Sequence, residues 1–190
     1  CEERGTDATG IAYNSGGSLK VYKRPLPAHL LWFKVYEDTN LVMGHTRMTT
    51  QGSERFNQNN HPFSGQAGCT NFALAHNGVL SNDKRLRRQL DLPATKIETD
   101  SYIAVQLLEA SGELSFASLA SMAEKLEGSF TISVMTDQDD LYLIKGDNPI
   151  CLYHYERLNF YIYASTEPIL KTALKQLNMK LGKPTKIKLD

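Results

Sequence analysis

Residues 115–136, SFASLASMAEKLEGSFTISVMT, carry the reading on which the fold depends. Their first half sets Phe116, Leu119, Ala120, Ala123 and Leu126 at helical spacing, with Ser115 placed to cap the helix and Gly128 to stop it. The second half changes period. Phe130, Ile132 and Val134 alternate onto one face of a strand, which needs a helix or a second sheet to cover it.

Outward from this stretch, short alternating runs predict further strands: TGIAYN, SLKVYK, LVMGHT, NFALAHN, LYLIKG, ICLYHYE and NFYIYAS. SGG and DQDD read as hairpin turns, and Arg157-Leu158 separates two strands of a third hairpin. Helical patterns occupy NDKRLRRQL, TDSYIAVQLLEASG (Ile103, Leu107 and Leu108 on one stripe) and PILKTALKQL, where Pro168 suits a first helical position. Two helices are expected between the strand groups. Most strand neighbours are too close for crossovers, so the expectation is α+β: layered antiparallel sheets with helices outside.

The chain has 190 residues, 41% hydrophobic and 22% charged, which suits one globular domain with a real core. Lys+Arg and Asp+Glu both number 21, so net charge makes no case for nucleic acid or membrane. Three separated cysteines (Cys1, Cys69, Cys151) without a CxxC suit reduced thiols, and no apolar run approaches the ~18 residues of a membrane span. A cytoplasmic protein is expected. The five histidines form no metal motif and NSGGSLK is no phosphate loop, so neither metal nor cofactor is expected.

Four polar clusters stand at strand ends, where sites commonly form: ERGTDATG, GHTRMTTQG, AHNGVLSN and ETDSY. Asn77-Gly78 reads equally as a hairpin turn or as a pair of donors for a developing oxyanion, although only Val79-Leu80 follows before a helix signal. Arg47 has no acidic sequence neighbour, so it is a solvated strand-edge charge or a fork for a ligand carboxylate. Thr99 or Asp100 suits a helix cap, and Asp100 also suits an ammonium group.

Taken in order, Arg4-Gly5-Thr6-Asp7-Ala8-Thr9-Gly10, Gly44-His45-Thr46-Arg47, Asn60-His61-Pro62, His76-Asn77-Gly78 and Glu98-Thr99-Asp100 resemble the glutaminase domain of class II glutamine amidotransferases. The likeness covers nearly the whole chain and is nearest the glucosamine-6-phosphate synthase and phosphoribosylpyrophosphate amidotransferase branch. It implies an N-terminal-nucleophile hydrolase fold, a four-layer αββα sandwich of two antiparallel sheets between helical layers. It also implies hydrolysis of glutamine to glutamate and ammonia through a cysteinyl thioester, with the ammonia acceptor and the oligomeric state open. By resemblance Arg47 holds the α-carboxylate, Asp100 the α-ammonium, Thr50 lines the site, and Asn77 with Gly78 forms the oxyanion hole. Gly5 and Asp7 shape the scaffold. Met48 and Gln51 replace a usual aromatic residue and a usual histidine, which keeps a related amide hydrolase or an amino-acid-binding module without turnover as alternatives.

Cys1 divides the readings. An N-terminal cysteine carries its own base, because its α-amine titrates near pH ~8. The family's nucleophile, however, precedes a strand and a helix before the arginine motif, whereas Cys1 stands three residues before Arg4. CEERG then resembles the last turn of that helix. On this reading residues 1–190 form a single domain lacking one N-terminal strand and one helix. The alternative keeps Cys1 as the nucleophile.

Overall fold

Gly16 and Gly17 both adopt positive φ (60° and 69°), the conformation that folds Ala8–Ser15 (β1) back onto Ser18–Arg24 (β2). The computed structural model describes residues 2–177 and 179–189, so Cys1 lies outside the described residues. The remaining strands are Val42–Arg47 (β3), Phe63–Ala67 (β4), Thr70–Leu80 (β5), Gly128–Thr136 (β6), Leu141–Lys145 (β7), Cys151–Tyr155 (β8), Phe160–Ala164 (β9) and Thr185–Ile187 (β10). The helices are Asp83–Gln89 (α1), Tyr102–Ser111 (α2), Phe116–Lys125 (α3) and Glu167–Gln176 (α4).

Three antiparallel sheets result, ordered β2-β1-β3, β4-β5-β6-β7 and β10-β8-β9. Period two divides the central sheet. Phe72 and Leu74 of β5, with Ile132 and Val134 of β6, face Ile103, Leu108, Leu119 and Met122 of the helices. On the opposite face Ala73, Ala75 and Met135 meet Ala12 of β1 and Met43 of β3, and Tyr163 of β9 packs against the same cluster. Small residues there let the two sheets approach closely. Leu170 of α4 closes a third cluster with Cys151, Tyr153 and Tyr155 of β8.

The α+β expectation therefore holds: helices cover one face of the central sheet, a second sheet layer covers the other, and α4 lies against β8 and β9. That second layer contains two separate three-stranded sheets. Three helices, rather than two, stand between β5 and β6. Ser115 does cap α3, in a reciprocal box with Ser118. Its buried residues, however, are Ser118, Leu119 and Met122, with Leu126 buried just past the helix end, and Phe116 is 81% exposed. Gly128 begins β6 and does not stop the helix, which ends at Lys125. β4 corresponds to none of the expected strands.

Candidate active site

β5 runs straight through Asn77-Gly78 to Leu80, pairing Asn77 with Thr131 and Gly78 with Phe130. The hairpin reading is thereby excluded. A Cβ at Gly78 would stand 1.9 Å from the Ser129 carbonyl oxygen, so only glycine admits this close approach of β6. β4 leaves β5 at Leu74, so one edge at the end of β5 has no partner strand among the described residues. A cavity of about 300 Å³ opens there, and Arg47, Thr50, Asn77, Gly78 and Asp100 all line it. Met48 and Gln51 line it too. A second cleft, about 360 Å³, is lined by Ser18, Ser64, Asn71 and Asp137 among others, and gathers none of these residues.

Arg47 ends β3 and is 4% exposed. Its guanidinium donates to Asn60 Oδ1 (2.7 Å), to the Gln51 carbonyl (2.5 Å) and to the Gly52 carbonyl (3.0 Å). These acceptors are neutral, so they fix the fork without cancelling its charge. Burial lowers the Arg47 pKa, opposed by Glu54, Asp100 and Asp7. Asn60, fully buried, is tied in turn to the Glu54 carbonyl. Asp7 accepts from the Thr49 N–H (2.7 Å), and a Cβ at Gly5 would collide with the Arg47–Met48 peptide at 2.2 Å. The chain start thus clasps the loop after β3, in line with the scaffold role expected of these two residues.

Asp100 is not the side-chain cap of α2. The Ncap of α2 is Ser101, and the Asp100 carboxylate instead accepts the Leu80 N–H at 2.6 Å. Ser101 bridges Asp100 (3.3 Å) and His76 Nδ1 (2.7 Å). Helix α2 thereby fastens the end of β5 and brings Asp100 to the cavity. Asn77 Nδ2 is buried with no hydrogen-bond partner among the described residues, an amide donor left unspent at the cavity wall.

Three residues had no role assigned from sequence. His45 lies with Nε2 2.9 Å from the His76 carbonyl, which can only accept, so Nε2 carries the proton. Burial pushes its pKa down to about 4, and burial also lowers His76 and holds His61 well below the ordinary range. His45 and His61 rings lie 4.3 Å apart, a packed neutral pair. Asn60 was visible within its motif but not as the acceptor for Arg47. Asn148, in the loop after β7, donates to the Asn77 carbonyl at 2.7 Å, and no sequence signal marked it.

Cys69 is exposed and Cys151 is buried in the third cluster, so neither described thiol lines the cavity. Among the described residues no group of histidine, cysteine and carboxylate side chains could hold a metal, and no helix is long and apolar enough to cross a membrane.

This fold is shared with glutamine phosphoribosylpyrophosphate amidotransferase from B. subtilis, which superposes with a TM-score of 0.75 at 20% identity, over 98% of this chain and 39% of that one. By sequence, the chain is 32% identical over 168 residues to the isomerizing glutamine–fructose-6-phosphate aminotransferase of Sulfurisphaera tokodaii, covering 84% of this chain and 28% of that protein. The corresponding Halobacterium salinarum protein is 31% identical over 158 residues, covering 80% and 26%. The chain thus spans about a quarter of these curated relatives. A family model described as a glutamine amidotransferase domain matches residues 45–172. The chain belongs to the glutamine amidotransferase domain family, in its class II, N-terminal-nucleophile form.

Proposed function

We propose that residues 1–190 are one glutaminase domain that hydrolyses the side-chain amide of glutamine to glutamate and ammonia, for transfer to an acceptor. The observation that carries this reading is the convergence of Arg47, Asp100 and the unspent Asn77 amide on one cavity. A buried guanidinium and a carboxylate suit the two ends of an amino-acid head group, with Thr50 at the rim. Asn77 Nδ2 and the Gly78 N–H suit the oxygen of the side-chain amide.

The chemistry is a cysteine thiolate attacking the amide carbon. Negative charge moves to the carbonyl oxygen, where the two donors meet it. The C–N bond then breaks as nitrogen takes a proton and leaves as ammonia. Water attacks the resulting thioester, releasing glutamate and restoring the thiol. Glu3 and Arg4 line the cavity. The nucleophile is assigned either to Cys1 or to a cysteine upstream in the family's usual position.

The test is to treat the protein with an electrophilic glutamine analogue and map the adduct by mass spectrometry. An adduct on Cys1 or on an upstream cysteine, blocked by excess glutamine, is expected. Labelling confined to Cys69, or none at all, ends the glutaminase reading. It would favour a module that holds an amino acid without turnover, the reading for which the distant positions of Cys69 and Cys151 speak.

A further inference from the structure

Asn148 has no assigned role, yet it makes a side-chain contact with the one strand segment whose backbone orientation matters. Its Nδ2 donates to the Asn77 carbonyl at 2.7 Å, and its own carbonyl receives the Thr131 hydroxyl at 2.6 Å. Its N–H and that of Gly146 both point to the Phe130 carbonyl, at 3.4 and 3.0 Å. Phe130 is the residue opposite Gly78, so this carbonyl is turned toward the loop after β7 and away from β5.

A trans peptide sets its C=O and N–H on opposite sides. With the Asn77 carbonyl held toward Asn148, the Gly78 N–H of the same peptide must point to the other edge of β5. That is the edge β4 leaves at Leu74, where the cavity lies. The Thr131 N–H of the β5–β6 ladder already faces the Asn77 carbonyl, and Asn148 is a second donor to it. We infer that Asn148 is a positioning residue, which by gripping this carbonyl from outside the ladder holds the Gly78 N–H aimed into the cavity. The direct consequence for catalysis rests on the glutaminase reading above; the aim of the amide does not. Gly78 supports the arrangement sterically, since a Cβ there would stand 2.8 Å from Asn148 Nδ2.

Asn148→Asp tests this, because it keeps the side chain's shape and exchanges the donor for an acceptor that repels the Asn77 carbonyl. In the intact protein, glutaminase kcat should fall about tenfold or more with KM for glutamine unchanged, since a misaimed oxyanion donor is felt in the transition state. In the 190-residue chain, NMR should show the Gly78 amide shifted and its hydrogen exchange altered, with the melting temperature close to wild type.

Asn77→Ala serves as the control. If Asn77→Ala impairs turnover and Asn148→Asp does not, the positioning role is overturned while the glutaminase reading stands. A raised KM with a lowered melting temperature in Asn148→Asp makes the residue merely structural and also overturns it. If wild type turns over no glutamine, the glutaminase reading fails by itself. The Gly78 amide then decides: perturbed in Asn148→Asp it upholds the aim, unchanged it overturns it.

Discussion

Arg47 is buried to 4% exposure and held by one side-chain and two main-chain oxygens. A lysine there would offer a point charge on a flexible stem in place of a planar fork. If Arg47 holds the amino-acid head group as proposed, Arg47→Lys should weaken glutamate or glutamine binding by ~1–3 kcal/mol, measured by calorimetry; unchanged affinity would overturn that proposal. Asn77 predicts a different pattern. Its Nδ2 has no partner among the described residues, so deleting it should cost the fold little. On the proposed glutaminase reading its effect belongs to the charged transition state, so Asn77→Ala should lower kcat roughly 100- to 1000-fold with KM nearly constant. A lower melting temperature with turnover per folded molecule unchanged would make Asn77 a scaffold residue instead. Asp100 combines both kinds of work, because the carboxylate offered to the cavity also accepts the buried Leu80 N–H.

At the scale of elements, α3 shows how packing sets the buried face of a helix. Leu119, Met122 and Leu126 enter the main core, whereas Phe116 stays on the surface, edge-on to Tyr142 with ring centroids 5.4 Å apart. Met122→Ala should cost about 2–4 kcal/mol in urea denaturation, and Phe116→Ala within about 1 kcal/mol; equal losses would contradict the face assigned here. Sequence periodicity identified the helix but set Phe116 and Ala120 on its apolar stripe, whereas packing against the central sheet and α2 turned Met122 inward in their place. The same limit applies to β4, whose FSGQA alternates only through Gly65 over five residues and has no β-branched residue. It is a strand because β5 beside it supplies a complete ladder from Phe63↔Leu74 to Ala67↔Thr70. At Gly78, Gly78→Ala would drive a Cβ into the Ser129 carbonyl and is expected to part β5 from β6, read as loss of hydrogen-exchange protection across residues 77–80.

Across the whole molecule the buried histidines link folding to pH. Burial lowers His45 to about 4 and depresses His61 and His76 below their ordinary value near 6.5, so the unfolded chain binds more protons than the native one in between. Stability is then fully present above about pH 6.5 and declines as pH falls toward 4. Urea midpoints at pH 7.5, 5.5 and 4.5 should decrease in that order, and His45→Gln, which keeps a donor for the His76 carbonyl, should flatten the trend. A flat wild-type profile would mean that these rings are charged or solvated in the native state. The hairpins β1-β2, β6-β7 and β8-β9, all four helices and the polar clusters at strand ends were legible in the sequence, since turn residues and apolar periods act between near neighbours. Local sequence also marked Arg47, Asn77, Gly78 and Asp100, but left each with a bland alternative. Only the tertiary structure brought them to one cavity, because residues 47, 77 and 100 meet only when α2 binds the end of β5 and the loop after β3 closes over it. The roles of Asn60, His45 and Asn148 escaped the sequence reading for the same reason: each acts through a hydrogen bond to a partner distant along the chain, and only packing chooses that partner.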